Sequence, residues 1–173
     1  MMKKLTVFLI CAAMCIAMAA CGGSGEPVAT DANVAFDPVP LTEEEAAVIE
    51  MMAEDINHIS DADYISSVSE IIYHTDAFEG QVFQLEGILS IDGESMSLYR
   101  NLVHGDQTQK LGLPLRYLEK EVPSGAWVRV TGIVASAEVD GQTVSVLDIA
   151  AIEGLSEAGQ AELEWDGGST HQH

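Results

Sequence analysis

Basic residues are scarce in this chain. Its 173 residues hold 7 Lys+Arg against 28 Asp+Glu, a formal net charge of -21. Two of the seven, Lys3 and Lys4, precede the first acidic residue. Such a surface repels phosphate backbones and anionic headgroups, and no basic stripe offsets the repulsion. Nucleic acid is therefore excluded as a general partner. Cysteine is equally scarce, with Cys11, Cys15 and Cys21 all in the first 21 residues. Beyond them the chain has no thiol for a disulfide, a nucleophile or a metal site. Signature motifs are missing as well. There is no G-x-S-x-G, H-E-x-x-H, Walker loop or G-x-G-x-x-G, so the sequence supports no nucleophile elbow, zincin site or phosphate cradle.

What is present first is an address. Lys3-Lys4 forms a charged n-region, Leu5 to Met18 an apolar run, and Met18-Ala19-Ala20-Cys21 a small-residue cleavage site ending in Cys. The run is short for a membrane span and fits a signal peptide over residues 1–20. Its order of parts resembles the bacterial lipoprotein signal, in which the Cys after the cleavage site is lipidated. The resemblance implies a lipid-modified Cys21, with two or more acyl chains anchoring the chain at the extracytoplasmic face of the cell membrane. Residues 21–40 then form the lipidated Cys and a flexible tether. This stretch is rich in Gly, Pro, Ala and Asp, lacks apolar periodicity, and reaches roughly 60 Å when extended.

One domain is expected after the tether, over residues 41–155. Thr42-Glu43-Glu44-Glu45 is a capping box, and Val48, Met51, Met52 and Ile56 recur at helical spacing, which predicts a helix over 43–57. Ser60 opens a second helix with a Tyr64, Val68, Ile71, Ile72 stripe. After Gly80 the apolar period becomes two. Strands are predicted over Val82–Ser90, around Met96–Leu102, over Leu111–Tyr117 with Pro114 at an edge or bulge, over Trp127–Ser136, and over Val144–Ile152. The phase slip between Val146 and Leu147 predicts a bulge there. Asp92-Gly93 and Asp140-Gly141 are hairpin turns. Gly87 and Gly132 sit deep inside branched runs, where a bend or a close backbone contact is needed. The fold class is mainly β with N-terminal helices (α+β), built as a small five-stranded OB-like barrel. Only about eight residues join strands three and four, so the helix usual at that point of an OB fold is missing or a single turn. Residues 156–173 read as a frayed helix and acidic tail.

Phe78-Glu79-Gly80, Leu85-Glu86-Gly87 and Trp127-Val128-Arg129-Val130-Thr131-Gly132 carry a further resemblance. The run Asp63–Ile152 is similar to OB-like domains of Gram-positive surface lipoproteins. Related domains are soluble partners of predicted permeases tied to metal, especially zinc, homeostasis. The resemblance implies a non-enzymatic binding or accessory module serving a transporter or envelope system. The family often has an adjacent Cys pair before its third strand; this chain has His104-Gly105-Asp106 there.

Two sets of residues are candidates for binding. Tyr99, Arg100, Arg116, Tyr117, Trp127 and Arg129 are read as exposed-phase aromatics and cations of the strands, suited to an anion or peptide contact. The alternative is cross-strand pairing of the Arg residues with neighbouring Glu. For metal, His104 with Asp106 and the terminal His171-Gln172-His173 offer ligands to a cation such as zinc, which makes a zinc-binding lipoprotein the second functional reading. A surface hydrolase with a carboxylate site is the third.

Overall fold

The computed structural model describes residues 37–139 and 141–165. The signal segment, Cys21, most of the tether, and His171 and His173 lie outside these residues.

Chain entry is tied down earlier than the composition implies. Val39 exchanges backbone hydrogen bonds with Gly154, at 3.1 and 2.8 Å. Helix α1 (Glu43–Met52) then starts at the predicted capping box: Thr42 Oγ1 accepts from the Glu45 N–H at 3.1 Å, and Glu45 Oε2 accepts from the Thr42 N–H at 2.7 Å. The helix is shorter than its apolar spacing predicts. It buries no residue, Met51 is exposed, and the chain turns at Asp55 into β1 (Ile56–His58). β1 lies parallel to Val82–Gln84, so a tertiary strand partner overrides the local helical pattern. Ser60 does not cap the next helix. Its hydroxyl accepts from the Asp63 N–H, which holds a turn and delays α2 to Tyr64–Tyr73. Tyr64, Val68 and Ile71 form the buried stripe of α2, while Ile72 points outward. A single turn, α3 (Thr75–Phe78), follows.

Five strands then close a barrel. β2 (Val82–Asp92) turns through Gly93, at φ +60°, into β3 (Ser95–His104), and β3 turns through Gly105 into β4 (Gln107–Arg116). β5 (Trp127–Val139) and β6 (Gln142–Gly154) form the second long hairpin. β2 pairs with both β3 and β5, and β4 runs parallel to β6 at Leu115 and Arg116. The circuit β2-β3-β4-β6-β5 returns to β2, which is an OB-like barrel. No helix intervenes between β4 and β5, as the short link predicts. α2 covers the barrel, and its Tyr64, Val68 and Ile71 join Leu85, Leu98, Leu113, Val130 and Leu147 in one core.

Pro114 faces Ser97, and β4 meets β6 only from Leu115 onward, so the missing N–H falls where no second neighbour needs it. The bulge is in the expected strand at a different place. Thr131 pairs with Ala151 and Gly132 with Ile149, which leaves Ala150 extra. The phase slip at Val146 and Leu147 has another cause: Ser145, Val146 and Leu147 are all buried because both faces of β6 are covered there. Ser145 Oγ donates to the Ile71 carbonyl of α2 at 2.8 Å and meets Thr75 Oγ1.

The described residues after β6, 155–165, form a strap rather than a frayed helix. β3 leaves β2 beyond Tyr99, which frees its far edge, and β7 (Glu162–Glu164) pairs in parallel with Asn101–Val103 on that edge. Leu163 is buried beneath it. A frayed helix would leave the edge of β3 unpaired, whereas a three-residue strand satisfies it. Among the described residues no helix is long and apolar enough to cross a membrane.

Candidate functional site

The six strand residues read as exposed divide into four groups. Arg100 and Trp127 are not exposed: they are 1% and 4% accessible. Arg100 stands two residues after Leu98 and shares its inward face. Its guanidinium lies 4.4 Å from the Tyr64 ring centroid and 5.0 Å from that of Trp127. Nε donates to the Glu86 carbonyl at 2.8 Å, and Nη1 to Asp61 Oδ1 at 2.6 Å and the Gln160 carbonyl at 3.4 Å. Trp127 is covered by the strap, where Gly159 packs so closely that a Cβ would stand 2.8 Å from the indole Cζ2.

Arg129 is part-exposed and joined to acids on both flanking strands. It donates to Glu86 Oε1 at 2.8 Å and to Glu153 Oε2 at 2.7 Å, and these are its register partners on β2 and β6. Glu86 Oε2 in turn accepts from Trp127 Nε1. Cross-strand pairing is thus the observed role of Arg129. Arg100 and Arg129, with His58, Ile59, Ser60, Asp61, Gln84, Leu85 and Glu86, line a cleft of about 400 Å³. Its two arginines and two acids cancel in formal charge, on a chain that is otherwise strongly acidic.

Arg116 and Tyr117 sit elsewhere. Arg116 makes a bidentate pair with Asp148, at 2.6 and 2.8 Å, which raises its pKa. Tyr117, 64% exposed, lies against that guanidinium at 5.1 Å and has φ +66°. A bulky residue with positive φ is strained. Tyr117 lines a second cleft, about 440 Å³, whose inner wall is the ion pair of Lys120 with Glu45. Tyr99 belongs to neither cleft and stacks with Lys110 across the β3–β4 hairpin, 4.0 Å from its centroid.

His104 and Asp106 lie at the β3–β4 turn. His104 Nδ1 is 2.9 Å from the Trp165 carbonyl oxygen, and the two rings are 5.4 Å apart. Trp165, isolated in the sequence, is therefore the clip that ends the strap. No group of three or more His, Cys, Asp or Glu suited to a metal ion occurs among the described residues.

Burial pushes the Tyr64 phenol well above its ordinary pKa, against the opposing charge of Arg100, so the ring meets the guanidinium as a neutral π surface. Asp61, Tyr64 and Gln160 are the partners of Arg100 that carry no strand pattern. Asp61 lies 39 residues from it in the chain, a distance no local periodicity bridges. No family model matches the chain, and no curated protein matches it either.

Proposed function

We propose that the chain is a lipoprotein anchored through Cys21 at the extracytoplasmic face of the cell membrane, with the OB-like barrel as a non-enzymatic binding or accessory module. The observation that carries this reading is the order of parts in residues 1–21: two lysines, an uncharged apolar run, then Met-Ala-Ala-Cys. Acidity supports it, since a net charge of -21 keeps a barrel standing off anionic headgroups at the end of its tether. The partner is an envelope protein, a permease or another transporter component being the kind the sequence resemblance implies.

The test is metabolic labelling with a fatty acid in a bacterial host expressing the full chain. Label is expected on the wild type and absent from Cys21→Ala, which is expected to leave the membrane fraction. Equal labelling of the two chains, or none in either, rules the anchor out.

A further inference from the structure

An acidic barrel is a poor host for anions, yet its least accessible charge is a cation. Arg100 is 1% exposed, a burial that charged side chains tolerate only when paired. Its partners use only part of the fork. Nε and Nη1 reach Glu86, Asp61 and Gln160, while Nη2 has no acceptor among the described residues. A guanidinium carries two N–H bonds on that nitrogen. Among the same residues no fully buried side-chain nitrogen or oxygen lacks a partner. Nη2 is therefore not fully buried, and Arg100 lines the 400 Å³ cleft. The rings of Tyr64 and Trp127 hold the fork so that it cannot swing to another acceptor.

Asp61 stands beside it with the opposite character. Its Oδ1 takes Arg100, its Oδ2 has no hydrogen-bond donor among the described residues, and the side chain is 53% exposed. A donor bound to a cation and an acceptor on an anion thus sit side by side at the cleft. A lone carboxylate on Nη2 would be repelled by Asp61, and a lone amine on Oδ2 by Arg100. A ligand with both charges on one carbon satisfies both, and the neutral sum of the lining suits a net-neutral molecule. Ile59 supplies the apolar wall.

We infer that this cleft binds a free α-amino acid with an apolar side chain, its carboxylate on Arg100 Nη2 and its ammonium on Asp61 Oδ2. The inference rests on the reading of the barrel as a binding module and gives that module a ligand class.

Three isosteric probes decide it, titrated into the full chain in detergent micelles and followed by calorimetry: leucine, 4-methylpentanoate, which lacks the amine, and isoamylamine, which lacks the carboxylate. Leucine is expected to bind about tenfold or more tightly than either analogue, the loss of one charge-assisted hydrogen bond. Asp61→Asn keeps an amide oxygen for Arg100 Nη1 but removes its counter-charge, so its fold is checked by circular dichroism before titration, and it is expected to abolish the preference for leucine over 4-methylpentanoate. Arg100→Lys keeps the charge without the fork and is expected to weaken leucine; should it fail to fold, Asp61→Asn alone decides. Leucine binding no tighter than the analogues, or an undiminished preference in Asp61→Asn, overturns the site. Cys21→Ala is expected to bind leucine like the wild type, which supports the site whatever the labelling result. Labelled Cys21 without leucine binding overturns the site and leaves the anchor standing.

Discussion

Gly112→Ala is expected to be among the most damaging single-methyl changes in the barrel. A Cβ at this position would stand 1.9 Å from the Leu98 carbonyl oxygen and 2.6 Å from the Tyr99 Cα. Both are backbone atoms of β3, so no side chain can rotate out of the way. β3 and β4 must part instead, and they are paired from Met96↔Leu115 to His104↔Gln107. Parting them disturbs Leu98 and Leu113, which are fully buried, and Arg100 between its rings. The expected loss is about 3 kcal/mol or more, the upper range for overpacking. Gly93→Ala is the control. Gly93 has φ +60° and nothing within 4 Å of an added Cβ, so it is expected to lose only about 1 kcal/mol, the cost of left-handed backbone for alanine. Urea unfolding of the two variants beside the wild type measures the difference. Equal losses would mean that β3 and β4 slide apart at little cost and that the close approach at Gly112 is not a constraint.

The same kind of contact was visible in the sequence at two other glycines and invisible here. Gly87 and Gly132 interrupt runs of branched residues, and each does face a close backbone neighbour: Tyr99 O at 2.9 Å and Asp148 O at 2.7 Å from the missing Cβ. Gly112 sits beside Pro114 among leucines spaced two apart, where its neighbours mask the irregularity. The five barrel strands were legible because each alternates or runs apolar for long enough to show a period of two. β1 and β7 were not, since three residues carry no period and each forms only because an edge of β2 or β3 is free. Arg100 shows a third limit. Its position two residues after Leu98 pointed inward while its charge argued outward, and what decided between them was the strap at Gly159–Trp165, made of residues with little apolar pattern. The candidate site follows the same division. Arg129 facing Glu86 and Glu153 is a register fact that strand pairing makes readable. Asp61 beside Arg100 depends on how the turn before α2 folds over the barrel.

Lys120→Met and Glu45→Gln are both expected to loosen α1 from the barrel, and both deficits are expected to narrow in acid, starting at different pH. α1 buries no residue, so its attachment relies on polar contacts. Lys120 Nζ donates to the Pro40 carbonyl at 2.7 Å, to Glu45 Oε2 at 2.6 Å and to the Ile152 carbonyl at 2.9 Å, which uses all three of its protons. Glu45 Oε1 accepts from the Ile152 N–H at 3.1 Å. One ion pair, its side chains 17% and 16% exposed, thus ties together the entering chain, the cap of α1 and strand β6. Partial burial pushes the Glu45 carboxyl up, but Lys120 and the N–H groups of Thr42 and Ile152 outweigh it and hold the carboxyl below its ordinary value. A carboxyl whose folded pKa is lowered stabilises the fold fully above its unfolded pKa, and that stabilisation is lost as pH falls through the folded value. The advantage of wild type over Glu45→Gln is therefore expected to be constant near neutrality and to shrink below about pH 4. Lys120→Met leaves a mostly buried carboxylate without its counter-charge, at an expected cost of about 3 kcal/mol. That variant relieves its own defect when Glu45 takes up a proton, so its deficit is also expected to narrow, but from a higher pH, because the carboxyl without Lys120 titrates higher. Urea unfolding at a series of pH values from neutral to acid reads all three chains. A wild-type advantage over Glu45→Gln that stayed constant into acid would mean that the amide replaces the carboxylate in every bond that counts, and that the charge on Lys120 does not hold α1.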